Sequence, residues 1–195
     1  HNLESTPGCI IVKSTSNTLN WYVYHKDLFS TSYADSEDNF VMLNLTNAAT
    51  DTTLWGGTAP TSTDFTVSSV NNTNGNTYVA YIFAHNDGDG DFGPDGDQDI
   101  IKCGSYVGDG TDLQEIEVGF EAQWVMTKAI SRTSNLYVSD SMRGLTADYH
   151  KRLSPNAFSA EATETFKKIY NNGFMVSGNN SDSNATTHTY LYIAI

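Results

Sequence analysis

Three blocks of this chain occur twice, in the same order and at nearly the same spacing. IIVKSTSNTLNWYVY (Ile10–Tyr24) aligns with VMTKAISRTSNLYVS (Val125–Ser139), setting Lys13 against Lys128 and Tyr22 against Tyr137, 115 residues apart. DFTVSS aligns with GFMVSG, pairing Phe65 with Phe174 at 109 residues, and NTYVAYIFA aligns with HTYLYIAI, pairing Tyr78 with Tyr190 at 112. Self-similarity at a long period marks a duplicated structural unit. Whatever one half folds into, the other must fold into as well.

The blocks read as β-strands. They are short, rich in Val, Ile, Tyr, Phe and Trp, and bounded by Gly, Asn, Asp and Ser clusters such as NNTNGNT and NNSDSNATT. In NWYVYH, the period of two puts Trp21 and Val23 on one face and Tyr22 and Tyr24 on the other. The expected fold is all-β: two related antiparallel β-sandwich repeats. The first spans 1–85 and the second 100–195, with an Asp/Gly-rich loop at 86–99 between them. One stretch fits a strand less well. Phe158, Ala162, Phe166 and Ile169 recur at helical spacing between Pro155 and the Asn171–Gly173 run, which allows a short helix near 157–170. The second repeat also has two strand-like runs, DIIKCGSYV and LQEIEVGF, around a Gly–Asp turn. The first has no counterpart to them and is expected to lack its first strand or two. The chain opens on His1 rather than Met and reads as a piece of something longer.

Charge narrows the partners. A formal net charge of −13 argues against a nucleic-acid backbone and against an anionic membrane surface. No apolar run reaches the length of a membrane-spanning helix.

The segment with the most chemistry is HNDGDGDFGPDGDQD, in which six of fifteen residues are Asp. Asp87, Asp89, Asp91, Asp95, Asp97 and Asp99 alternate along a Gly-rich run. Ca²⁺ takes six to eight oxygens, and carboxylates spaced two apart on a turning backbone supply them. The loop has no Glu at the twelfth position of an EF-hand. It stands either as a Ca²⁺ site or as a solvated connection.

The other candidates are sparser. Trp55, in LWGGTAP, falls in a loop and is the aromatic placed to contact a glycan; Trp21 and Trp124 fall at core positions. His1, His25, His85, His150 and His188 have no paired-ligand spacing. Cys9 and Cys103 lie in apolar runs, as buried free thiols or, second, as a mutual disulfide. Asn44, Asn71, Asn179 and Asn184 head N-x-Ser/Thr triplets of the kind an Asn- and Thr-rich chain yields by chance. No P-loop, GxSxG or GxGxxG is present, and an enzyme is not expected.

PGCIIVKSTSNTLNWYVYH, WGGTAPTSTDFTV, NTYVAYIFAHNDGDG, GPDGDQDIIKCGSYVGDG, QWVMTK, DSMRGL and THTYLYIAI together resemble the repeated β-rich modules of virion structural proteins in T4-like marine tailed phages. The resemblance covers nearly the whole chain. It implies a non-enzymatic module of a fibre or tail-associated protein, located in the virion. Such a module assembles with copies of itself or with its parent protein, and contact with the host surface follows from that location. The Asp loop is more acidic than the family pattern, so a metal role does not come with the resemblance. Two other functions fit the residues: a carbohydrate-binding module and a subunit of an extracellular filament.

Overall fold

A computed structural model describes residues 1–30, 34–86, 95, 98–145, 150–165 and 167–195. In the first half, β1 (Cys9–Ser14), β2 (Tyr22–His25), β3 (Asn39–Met42), β4 (Thr50–Asp51) and β5 (Tyr78–Phe83) form one antiparallel sheet in the order β4-β3-β2-β1-β5. The second half runs β6 (Lys102–Val107), β7 (Gln114–Glu117), β8 (Trp124–Ala129), β9 (Leu136–Asp140), β10 (His150–Leu153), β11 (Ala162–Glu164), β12 (Lys167–Tyr170), β13 (Gly173–Val176) and β14 (Thr189–Ala194). These strands make a six-stranded sheet, β11-β10-β9-β8-β14-β6, and a three-stranded sheet, β12-β13-β7. The fold is an all-β sandwich.

The duplication is visible at the level of single residue pairs. The order β4-β3-β2-β1-β5 recurs as β11-β10-β9-β8-β14, with β6 added at its edge. Cys9 pairs with His25 and Val12 with Tyr22; at the same 115-residue spacing, Trp124 pairs with Asp140 and Thr127 with Tyr137. Ser14 pairs with Tyr78, and Ala129 with Tyr190. A slip of one residue in either half would turn its core face outward, so equal register means that equal faces are buried.

The polar contacts repeat too. Lys13 Nζ donates to the Leu19 carbonyl at 2.8 Å, and Lys128 Nζ to the equivalent Ser134 carbonyl at 3.1 Å. Asn44 accepts from the Trp21 N–H at 3.0 Å and donates to Asn20 at 3.0 Å. Asn156 does the same with the Leu136 N–H and Asn135, at 3.1 Å each. Each Asn thus closes the hairpin next to the strand that carries the repeated tyrosine. The turn before the last strand also recurs: the Thr73 N–H donates to Tyr78 Oη and the Ala185 N–H to Tyr190 Oη, both at 3.0 Å. That turn needs a left-handed residue, supplied by Gly75 at φ 83° in one repeat and by Thr187 at φ 69° in the other. Glycine adopts that φ without strain, whereas a β-branched residue does not.

Alternation along the strands builds three apolar layers. Cys9, Ile11, Val23 and Val41 meet Leu191, Ile193, Met126 and Trp124, so the two large sheets pack face to face. On the far side of the six-stranded sheet, Val125, Tyr190 and Tyr192 pack on Ile116, Phe174 and Val176 of the three-stranded sheet. On the far side of the first sheet, Ile10, Val12 and Tyr24 are covered by Leu54, Trp55, Phe65 and Val67, which lie outside strands. Phe65 and Phe174 therefore do the same work, one from a loop and one from β13.

The allowance for a helix near 157–170 is corrected. That stretch holds β11 and β12, and Phe158 is fully exposed rather than on a buried stripe. The alternation Lys167–Ile169 is what pairs: Ile169 lies opposite Phe174 in a hairpin turned by Asn171 and Asn172. Partners in the sheet override a helical spacing that had no apolar face to receive it.

If the two clamps are equivalent in energy as well as geometry, Asn44→Ala and Asn156→Ala should each destabilise the chain by about 1–3 kcal/mol, the cost of an orphaned strand amide. Urea unfolding of both variants checks this. A silent variant at either position would show that its clamp carries no energy.

Candidate functional site

Of the Asp residues read as Ca²⁺ ligands, Asp87, Asp89, Asp91 and Asp97 lie outside the described residues. Asp95 is exposed and Asp99 is half-buried. Among the described residues, no group of three or more His, Cys, Asp or Glu side chains converges as a metal site.

Trp55 is corrected. It is 1% exposed, its indole N–H donates to the Asn39 carbonyl at 3.0 Å, and its ring stands edge-on to Tyr24 at 5.9 Å. The loop that carries it serves as the covering layer of the first sheet, so no face is left for a sugar. Cys9 and Cys103 are buried free thiols, and burial raises both, Cys103 to about 12.

Two of the histidines are buried. His25 links the two large sheets. Its Nδ1 accepts from the Asp27 N–H at 3.2 Å, which leaves Nε2 to donate to the Tyr192 carbonyl at 3.0 Å. Burial lowers it to about 4, against the opposing effect of the Tyr192 bond. It is therefore a neutral structural donor at neutral pH.

His150 belongs to a cluster that motif reading missed. Glu164 Oε1 accepts from His150 Nε2 at 3.0 Å and from Ser139 Oγ at 3.3 Å. Glu164 Oε2 faces Arg152 at 2.9 Å, and Lys167 Nζ is 3.8 Å from Oε1. Arg152 lies 4.1 Å above the Tyr137 ring and reaches Asp182 at 3.4 Å. Burial pushes the Glu164 carboxyl up, but Lys167, His150 and Arg152 outweigh it and hold it at about 2. The only signal in the sequence was HKRL opposite ATE, a pair of strands with charged residues at inward positions. Glu164 sits on β11 and Lys167 on β12, so the cluster ties the six-stranded sheet to the three-stranded one. The clefts at Glu4–Lys26–His85 and at Asn44–Phe158 are lined by other residues. Buried, mutually neutralised and away from both clefts, this cluster acts as a fastening between layers.

The surface that stands out is a strand edge. Sheet edges in natural proteins are blunted by shortness, charge, proline, a bulge or a covering segment. Here β4 has two residues and β11 three, β7 carries two Glu, β12 two Lys, and β6 carries Lys102. β5, YVAYIF, has six residues, no charge and no proline. Its counterpart β14 is buried along its whole length, whereas Ala80 and Tyr81 of β5 are exposed.

Among the described residues, an all-β sandwich of two registered repeats with one long, uncharged edge defines the class of protein. The chain belongs to the family described as a domain of unknown function, DUF7483, which it matches over residues 1–195. No curated protein and no solved structure matches it.

Two of the buried titratable groups, His25 and Glu164, give a signed pH dependence. The folded value of His25 lies below its ordinary 6.5, so its contribution is complete above about 6.5 and is lost as pH falls toward 4. Glu164 behaves likewise between about 4.5 and 2. Unfolding stability should therefore drop by about 3 kcal/mol through the His25 window, and His25→Asn should flatten that limb. Denaturant titrations at several pH values test it; an unchanged slope in the variant would sink the assignment.

Proposed function

We propose that this chain is a non-enzymatic structural module of a phage virion, part of a fibre or tail-associated protein, whose work is assembly. The observation that carries the reading is the β5 edge, a long, apolar, uncharged strand left without the protection that the other edges have. An edge of this kind pairs with another chain or segment through main-chain hydrogen bonds. The resemblance of its motifs to virion modules supplies the setting, and host-surface contact belongs to that setting. The buried Glu164 cluster, which faces neither cleft, supports a structural reading over a catalytic one.

A carbohydrate-binding reading has one observation in its favour. Phe158 is fully exposed beside a cleft of about 330 Å³ lined by Asn44, Pro155, Asn156 and Ala157. It offers the aromatic face that Trp55 does not. Glycan-array binding abolished by Phe158→Ala would favour this second reading.

The assembly reading is tested in the particle. Antibodies against the chain should label the fibre or tail of purified virions by immunogold microscopy. Ala80→Lys places a charge at the centre of the β5 edge. It should lower the yield of infectious particles by about tenfold or more while leaving the melting temperature of the isolated chain nearly unchanged. Absence of label on intact virions, or full infectivity of the variant, would overturn the reading.

A further inference from the structure

We infer that the β5 edge is an acceptor for one kind of partner, an extended segment with the chemistry of β6 supplied by another unit of this repeat. The inference rests on the assembly reading and names the occupant of its surface. The argument comes from the second repeat, where the equivalent position is filled.

In that repeat, β6 is held at three places. The backbones of Tyr190, Tyr192 and Ala194 pair with Tyr106, Gly104 and Lys102. The Tyr106 ring stacks on Tyr190 at 5.1 Å and 16°, and its hydroxyl donates to the Ser183 carbonyl at 2.7 Å. The turn after β6 is gripped by the fully buried Asn184. Its Oδ1 accepts from the Asp109 N–H at 3.1 Å, and its Nδ2 donates to the Thr111 carbonyl at 2.9 Å.

The first repeat presents the same three places. The Thr15 N–H donates to the Thr77 carbonyl, so alternation along the ladder points the backbone groups of Tyr78, Ala80 and Ile82 outward. Tyr78 occupies the Tyr190 position, its hydroxyl fixed by the same turn, with its ring only half-buried. Asn72 occupies the Asn184 position and is exposed. Next to it, Asn71 is buried with neither side-chain amide atom hydrogen-bonded. The backbone edge and the aromatic platform are thus preformed together, and Asn72 stands at the position of the turn anchor.

The occupant is an antiparallel strand with an aromatic opposite Tyr78, followed by a Gly–Asp–Gly turn that reaches Asn72. The β6 of a second copy is not that strand, because β14 and Asn184 already hold it. The donor is a segment of this kind belonging to another repeat unit.

The test is a synthetic peptide of residues 101–112 carrying Cys103→Ser, titrated into the 195-residue chain. Amide exchange at Tyr78, Ala80 and Ile82 should slow saturably, by about tenfold or more. The same peptide with Tyr106→Ala, or the chain with Asn72→Ala, should bind about tenfold more weakly. The amides of Ile10–Val12 report that the chain stays folded throughout. Unchanged exchange along β5 at millimolar peptide, with those amides protected, overturns the inference. Protection of β5 that appears without peptide and grows with chain concentration also overturns it, since a second copy then fills the edge, and the assembly reading survives. Failure of the assembly reading shows separately, as full infectivity of Ala80→Lys.

Discussion

Everything in this molecule is arranged around the apolar layer between its two large sheets. Cys9, Ile11 and Val23 on one side meet Leu191, Ile193 and Met126 on the other. Because strand side chains alternate, a strand committed to this layer must present its remaining residues on the opposite face. Ile10, Val12 and Tyr24 are those residues in the first sheet, and Val125, Tyr190 and Tyr192 in the second. Both sheets are therefore apolar on two faces, and each needs a further cover. Central packing is thus the cause of the outer layers, which differ: a three-stranded sheet on one side and a loop carrying Trp55 on the other.

This dependence explains what could be read from the sequence. Repeated strands at fixed register were legible because pairing and face are both set by spacing, and Lys13, Tyr22, Phe65 and Tyr78 marked it. The faces assigned to Trp21 and Val23 against Tyr22 and Tyr24 follow the same rule and match the layers found. Trp55 misled because its loop has turn residues all round it. Nothing local says that this loop must roof a two-faced sheet. The stretch near 157–170 misled for a related reason: its strands exist through their partners, Phe174 opposite Ile169 and His150 opposite Glu164. The Glu164 cluster was illegible because its members come from β9, β10, β11 and β12, and only the folded sheets bring them together.

Where the halves differ, they differ in concert. Repeat two has β6, β7 and the three-stranded sheet; it also has a buried Asn184, a buried Tyr190 and a β14 covered along its length. Among the described residues of repeat one no counterpart of those strands is found, and the equivalents of all three features are exposed or half-buried. The turn before the last strand and its tyrosine nevertheless hold one pose in both halves. The shared Tyr hydroxyl bonds to Thr73 and Ala185 show that the pose is kept.

One substitution between the repeats bears on what the open edge can take. At position 104 a Cβ would collide with the Tyr192 ring and hydroxyl, so β6 carries glycine where it crosses that ring. The residue equivalent to Tyr192 in the first repeat is Ala80, which is small and exposed. The steric demand for glycine is therefore absent at β5. A strand bound there is free to carry a side chain at that point, where it would cover the surface that Ala80 leaves open. The two repeats share a pairing register, so a strand with the chemistry of β6 fits both edges, and only at this point does the first accept a larger residue as well.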